Sequence, residues 1–334
     1  MSYEAYRMKE LGFTTRQLHA GYNPADHYRS KAVPIYQTAV FELGDYERCL
    51  RLFEYAEEGH SYVRFSNPTN EVLEKRMASL EGGAASLALA SGMAAISNTL
   101  LNLCEAGDEI VAVKTLYGGS TTLISSLLNH YGIQGRFVED ETDPEAYREL
   151  ITDRTKCIYI EAIGNPGINV LDVDAITAVA HEYGIPVVMD NTFCTPYLFR
   201  PFEHGVDIVC YSATKYLAGH GILIGGLVTE SGQFDYQNGR FPQFDAFWKE
   251  NASLIGEEVL SKRNIYQETE DGLSDRPGRS YEPAECVLSS AGAGDAVSED
   301  GPSCGERAEN SSIPGKTSGC QPGELSGPCL FPLS

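Results

Sequence analysis

Short runs of apolar residues alternate along this chain with longer stretches in which apolar positions recur every three or four residues. Val72, Leu73, Met77 and Leu80 draw one such stripe, which predicts a helix over 71–81. Gly82-Gly83 ends it, because glycine takes the left-handed C-terminal conformation at no steric cost. The compact apolar run 86–90 predicts a buried strand, and Ser91 opens a second helix over 93–103. The same reading predicts strands over 109–113, 135–138, 156–161, 185–190, 207–211 and 226–229, with helices over 121–131 and 174–183. Strands that alternate with helices through short Gly, Pro and Asn turns imply a mostly parallel sheet covered on both faces. In such a sheet the chemistry sits beyond the carboxyl ends of the strands.

Reactive side chains do gather at those ends. The strand over 185–190 runs into Asp190-Asn191-Thr192, and the strand over 207–211 runs into Ser212-Ala213-Thr214-Lys215. A carboxylate and a lysine so placed fit a structural ion pair at the sheet edge as well as they fit a functional pair. Ser91-Gly92-Met93 adds a third element, since small residues at a helix N-terminus expose backbone N–H groups to an anion. A phosphate cradle, a carboxylate and a lysine are the parts that hold pyridoxal 5'-phosphate. The phosphate would lie on the helix end with Ser212 and Thr214, the ring nitrogen on Asp190, and the aldehyde on the amine of Lys215. A nucleotide-binding protein is the poorer reading, because the chain has neither GxxxxGK[ST] nor GxGxxG after a strand.

Charge and composition narrow the function further. Lys plus Arg is 25 against 47 for Asp plus Glu, a net charge of -22, and no local basic patch offsets it. A reader of nucleic acid or of an anionic membrane is therefore excluded. No apolar stretch reaches the ~18 residues of a membrane span, and the first 13 residues have no apolar core of a leader, so the cytoplasm is the expected compartment. Nine cysteines without a CxxC pair read as reduced thiols.

The segments Tyr211-Ser-Ala-Thr-Lys215-Tyr, Val188-Met-Asp190-Asn-Thr-Phe, Ala90-Ser-Gly-Met-Ala-Ala95, Leu116-Tyr117-Gly-Gly119, Asn165-Pro166 and Tyr62-Val-Arg64-Phe-Ser-Asn67-Pro-Thr69 together resemble the Cys/Met-metabolism family of fold-type I PLP-dependent enzymes. Thr14-Thr-Arg-Gln-Leu-His-Ala-Gly21, Ala32-Val-Pro-Ile-Tyr-Gln-Thr38 and Glu161-Ala-Ile-Gly-Asn-Pro166 look most like its O-acetylhomoserine sulfhydrylase branch, over roughly residues 10–245. The resemblance implies an α/β large domain with a mostly parallel, seven-stranded type of sheet covered by helices. It assigns 1–60 to an arm contacting a neighbouring subunit and 61–255 to the PLP-binding domain. It implies that Lys215 carries the cofactor and moves protons, Asp190 keeps the ring nitrogen protonated, and Tyr117 stacks on the ring. Gly92, Met93, Asn165, Thr192, Ser212 and Thr214 would complete the cofactor site, and Tyr62 and Arg64 would reach the phosphate of the neighbouring subunit in a homodimer or homotetramer. His220 and Cys194 read as structural. The implied reaction is γ-replacement on O-acetyl-L-homoserine, a small-molecule amino acid, by sulfide or a small thiol. It gives homocysteine or methionine; the alternatives are a cystathionine γ-synthase or γ-lyase type of enzyme, or an inactive PLP-binding remnant.

From residue 261 the chain changes character. Gly, Ser and Pro make up 29 of the last 74 residues, a composition typical of segments with no packed core. The family would continue with an amphipathic helix and a small C-terminal domain that grips the substrate carboxylate, and no segment here matches it. Residues 256–334 are therefore expected to be an aberrant, disordered tail, the product of a shifted reading frame. Back-translated codons for 291–310, read from the second base, permit Gln-Gly-Leu-Glu-Thr-Leu, which looks like the family's next segment. The coding sequence for residues 270–310 decides between that origin and coincidence.

Overall fold

In a computed structural model the described residues are 11–53 and 56–244. Every described residue belongs to one compact unit. The expected tail over 256–334 lies outside the described residues.

The strands are β1 (Ala85–Leu89), β2 (Glu109–Ala112), β3 (Gln134–Phe137), β4 (Thr155–Glu161), β5 (Val187–Asp190), β6 (Ile208–Ser212) and β7 (Gly226–Glu230). They form one sheet in the order β1-β7-β6-β5-β4-β2-β3. All neighbours are parallel except β7, which runs antiparallel to both β1 and β6. Ile158, Val188, Met189, Val209 and Cys210 in the middle of the sheet are wholly buried, as a sheet covered on both faces requires.

The helices are α1 (Phe13–His19), α2 (Tyr46–Phe53), α3 (Pro68–Glu81), α4 (Gly92–Leu103), α5 (Gly118–Thr122), α6 (Pro144–Leu150), α7 (Val173–Glu182) and α8 (Thr195–Leu198). Asn67 caps α3 by accepting the Thr69 N–H, Pro68 occupies its first turn, and Gly82 stops it at φ 77°. Its buried face is the predicted stripe of Val72, Leu73, Met77 and Leu80. The helix expected over 121–131 is helical throughout but not one α-helix. After α5 the backbone widens into a π-turn at Leu123–Leu127, tightens to 3-10 at Leu128–Tyr131, and stops at Gly132 with φ 79°.

Ahead of α3 the chain crosses its N-terminal end in extended form. Tyr36 N donates to Thr69 Oγ1 at 3.0 Å, Thr69 Oγ1 donates to the Pro34 carbonyl at 2.8 Å, and Asn67 Nδ2 donates to the Tyr36 carbonyl at 2.9 Å. No helix among the described residues is long and apolar enough to cross a membrane.

Candidate active site

Strand register brings three chain ends to one line. Glu161 at the end of β4 pairs with Asp190 at the end of β5, and Asp190 in turn pairs with Cys210, two residues before the end of β6. Beyond this line opens a cleft of about 300 Å³, at the small end of the range for small-molecule sites. Gly92, Met93, Tyr117, Asn165, Asp190, Thr192, Ser212, Thr214 and Lys215 all line it. Nine of the eleven residues expected in the site are thus brought together; Tyr62 and Arg64 are not.

The floor is a buried carboxyl. Asp190 Oδ1 accepts the Thr192 N–H at 2.9 Å, and Thr192 Oγ1 accepts the Ser212 N–H at 2.8 Å. Thr192 is therefore a strut between the ends of β5 and β6 as well as part of the wall. Burial pushes the Asp190 carboxyl above its ordinary range, with the Thr192 hydrogen bonds acting against that rise. A buried carboxylate so placed is stabilised by an incoming cationic N–H donor.

Helix α4 supplies the anion end. Ser91 caps it, accepting the Ala94 N–H at 3.0 Å, while the Gly92 and Met93 N–H groups precede the first intrahelical acceptor. Gly92 lies so close to β6 that a Cβ there would stand 2.7 Å from Ser212 Cβ and 2.8 Å from its Cα. Only glycine lets the helix end approach the Ser212 hydroxyl. The Thr214 hydroxyl is occupied by the segment just ahead of β7, accepting the Gly225 N–H at 3.0 Å and donating to the Gly225 carbonyl at 3.3 Å. Lys215 is exposed on the turn that follows β6, its backbone fixed by Lys215 N to the Ser212 carbonyl at 3.2 Å and Gly219 N to the Lys215 carbonyl at 2.9 Å.

The walls are Tyr117, 48% exposed although it is a large aromatic, and Asn165, whose bond to Pro166 is cis. Sequence reading passed over Glu161 as a site residue. It is 5% exposed, lines the cleft, and accepts the Tyr117 N–H at 2.7 Å. Burial, then the neighbouring Asp190 charge, pushes its carboxyl up to about 8, opposed by the N–H groups of Tyr117 and Asn165. Its position in the Glu161-Ala-Ile-Gly-Asn-Pro166 motif, at the last residue of a strand, was the available signal. Ile96, Ile163, Phe193 and Ile224 add an apolar lining.

Tyr62 is 41% exposed, and the Arg64 guanidinium lies over the rings of Tyr62 and Phe65 at 5.3 and 5.5 Å from their centroids. His220 and Cys194 do not line the cleft.

These parts fit pyridoxal phosphate. Two helix-end N–H groups beside a hydroxyl suit its phosphate, a buried carboxyl suits its ring nitrogen, an exposed lysine suits its aldehyde, and an aromatic wall suits its ring. Fold and cleft together define a fold-type I α/β enzyme scaffold with a site for that cofactor. A profile of the Cys/Met metabolism PLP-dependent enzyme family matches residues 14–292, and the chain belongs to that family.

The chain is 47% identical over 230 residues to an O-acetyl-L-homoserine sulfhydrylase of Leptospira meyeri, covering 69% of this chain and 52% of that one. It is 46% identical over 237 residues to a homocysteine/cysteine synthase of Saccharomyces cerevisiae, covering 70% and 53%. The chain thus spans about half the length of the curated relatives it matches. Among solved structures, an O-acetylhomoserine (thiol)-lyase of Campylobacter jejuni, described as putative and carrying an N'-pyridoxyl-lysine-5'-monophosphate, superposes with a TM-score of 0.83 at 32% identity, covering 91% of this chain and 77% of that one.

Proposed function

We propose that this chain carries the cofactor half of an enzyme that replaces the γ-substituent of O-acetyl-L-homoserine with sulfide or a small thiol. The observation that carries the reading is the meeting of Lys215, Asp190, Tyr117 and the α4 N-terminus on one cleft, in a chain whose sulfhydrylase relatives are 46–47% identical. In the net reaction the Cγ–O bond breaks, acetate leaves with the electron pair, and a Cγ–S bond forms. Bound pyridoxal phosphate supplies an electron sink that makes the substrate's Cα and Cβ protons removable.

The chain's residues do the rest. The Lys215 amine would hold the cofactor's aldehyde and, during turnover, accept the Cα proton and move protons at Cβ. Asp190 would hold a proton on the ring nitrogen by offering it a carboxylate at the floor of the cleft. Gly92, Met93 and Ser212 hold the phosphate, and Tyr117 covers one ring face. Thr214 joins the phosphate only by turning its hydroxyl away from the Gly225 carbonyl. Asn165 faces the substrate from the loop that follows β4.

The assembled unit is proposed to be a homodimer or homotetramer in which the partner's arm reaches the site. The free thiols of Cys104, Cys157, Cys194 and Cys210 support a reducing compartment, the cytoplasm.

The test is turnover by the purified full chain of O-acetylhomoserine with sulfide, read as homocysteine and acetate formed in equal amounts, followed by borohydride reduction and peptide mapping. We expect the pyridoxyl label on Lys215, and Lys215→Ala to lose about a thousandfold in turnover. Label on another lysine overturns the Lys215 assignment. Labelled Lys215 without acetate release overturns the reaction and leaves a cofactor-binding remnant. Methionine converted faster than O-acetylhomoserine would place the chain with γ-lyases.

A further inference from the structure

Two walls of the cleft are loops beyond the strand ends, held on the cleft side by Glu161 at the end of β4, which accepts the N–H groups of Tyr117 and Asn165. Tyr117 ends the turn that follows β2, and Asn165 stands on the loop that follows β4. One side chain outside the cleft joins them. Glu141, between β3 and α6, accepts the N–H groups of Lys114 and Thr115 on Oε1 at 2.5 and 2.7 Å. Its Oε2 accepts the Thr115 hydroxyl at 2.5 Å and Asn169 Nδ2 at 2.8 Å. Asn169 closes the second loop in turn, its carbonyl accepting the Gly164 N–H at 3.1 Å while the Gly164 carbonyl accepts the Ile168 N–H at 2.7 Å.

The fit is close. A Cβ on Gly164 would stand 2.1 Å from Asn169 Oδ1 and 2.9 Å from the Thr115 carbonyl, so the two loops touch at a position open only to glycine. Glu141 is anchored from behind, where the hydroxyl of the wholly buried Tyr147 donates to the Glu141 carbonyl at 2.9 Å. Four donors from two loops on two oxygens is a demand that an ionised carboxylate meets. A glutamine does not, since its NH2 turns a donor toward donors.

We propose that Glu141 is a positioning residue that holds the neighbouring Tyr117 and Asn165 loops in fixed register beside the cleft, acting through Thr115 and Asn169. The role of the cleft rests on the proposed function; the clamp is tested without it. Amide hydrogen exchange on the cofactor-free full chain compares wild type with Glu141→Gln and Asn169→Ala. Glu141→Gln is expected to speed exchange about tenfold at Lys114 and Thr115 and also at Gly164 and Ile168, with the amides of β5 and β6 unchanged. Asn169→Ala is expected to free Gly164 and Ile168 alone, because Oε1 still holds Lys114 and Thr115.

A change at one loop only in Glu141→Gln, or at neither, overturns the clamp. If Glu141→Gln unfolds throughout, Asn169→Ala decides: release of both loops, or of neither, overturns it. The second readout is pyridoxal phosphate titration followed by visible circular dichroism. Affinity should fall tenfold to about a hundredfold and the ellipticity of the bound cofactor should change in Glu141→Gln. Normal affinity and ellipticity beside loosened loops would leave Glu141 a structural tie and overturn its positioning role. Wild type that fails to bind the cofactor would count against the proposed function and leave the exchange result standing.

Discussion

Glu161 shows how one residue's surroundings set its chemistry. In water its carboxyl is ionised near neutrality; at the end of β4, buried beside Asp190, it keeps its proton up to about 8. The folded chain therefore binds this proton where the unfolded chain has released it. The stability Glu161 contributes is fully present below about pH 4 and falls as pH rises toward about 8, by at most about 1.4 kcal/mol per pH unit. Glu161→Gln keeps an oxygen for the Tyr117 N–H and removes the titration. Urea unfolding at intervals between about pH 5 and pH 8 should show wild type losing stability relative to Glu161→Gln as pH rises, and a constant difference would refute the shift. Lys215 and Asp190 were legible in the sequence because Asp190 ends one apolar strand and Lys215 stands in the turn just beyond the next. The role of Glu161 was not, because it depends on a backbone N–H 44 residues away and on register with the next strand. Thr192 divides the same way: its place at the cleft was legible, its bond to Ser212 was not.

Among the elements, the seven strands were legible and the short N-terminal helices were not read. Strands buried on both faces read as continuous apolar runs, so β4, β5 and β6 stand out in the sequence. The helix α1 buries only Gln17 and shows no apolar stripe, whereas α2 carries one, Tyr46, Cys49, Leu50 and Phe53 at i, i+3, i+4 and i+7, that was passed over and that this chain leaves unburied. For α6 the signal was present in Asp143-Pro144-Glu145, a cap followed by proline in the first turn, and it was passed over for want of a long stripe. The element contact that matters most for the cleft is the approach of α4 to the end of β6. Gly92→Ala must push these elements apart, since its Cβ would meet both Cβ and Cα of Ser212. We expect about 1–3 kcal/mol of lost stability and a weaker phosphate grip, seen as at least a tenfold fall in pyridoxal phosphate affinity. Gly118→Ala, whose Cβ meets nothing within 4 Å, is the control, expected to leave both nearly unchanged. Equal affinity in Gly92→Ala and wild type would separate the α4 N-terminus from phosphate binding.

For the whole molecule, the unresolved step from sequence to site is where Tyr62 and Arg64 act. They lie on the turn ahead of α3 in which the Phe65 and Ser66 N–H groups return to the Tyr62 carbonyl, outside their own protomer's cleft, with Tyr62 half exposed and Arg64 stacked on it. The same N-terminal region leaves Ile35, Val40, Leu50 and Phe53 exposed, apolar surface that a subunit contact could cover. A twofold contact that covers this surface would carry Tyr62 and Arg64 of each subunit to the other's cleft. Mixing tests it, because a shared site can be repaired by a partner and a private one cannot. A Tyr62→Ala/Arg64→Ala chain and a Lys215→Ala chain should each be inactive alone. In a hybrid dimer one of the two clefts then receives Lys215 from the first chain and an intact Tyr62 and Arg64 from the second. Random pairing makes half the dimers hybrid, so activity should recover to about a quarter of the wild-type value. If the residues served their own cleft, every cleft in the mixture would lack one part, and verified hybrids would stay inactive.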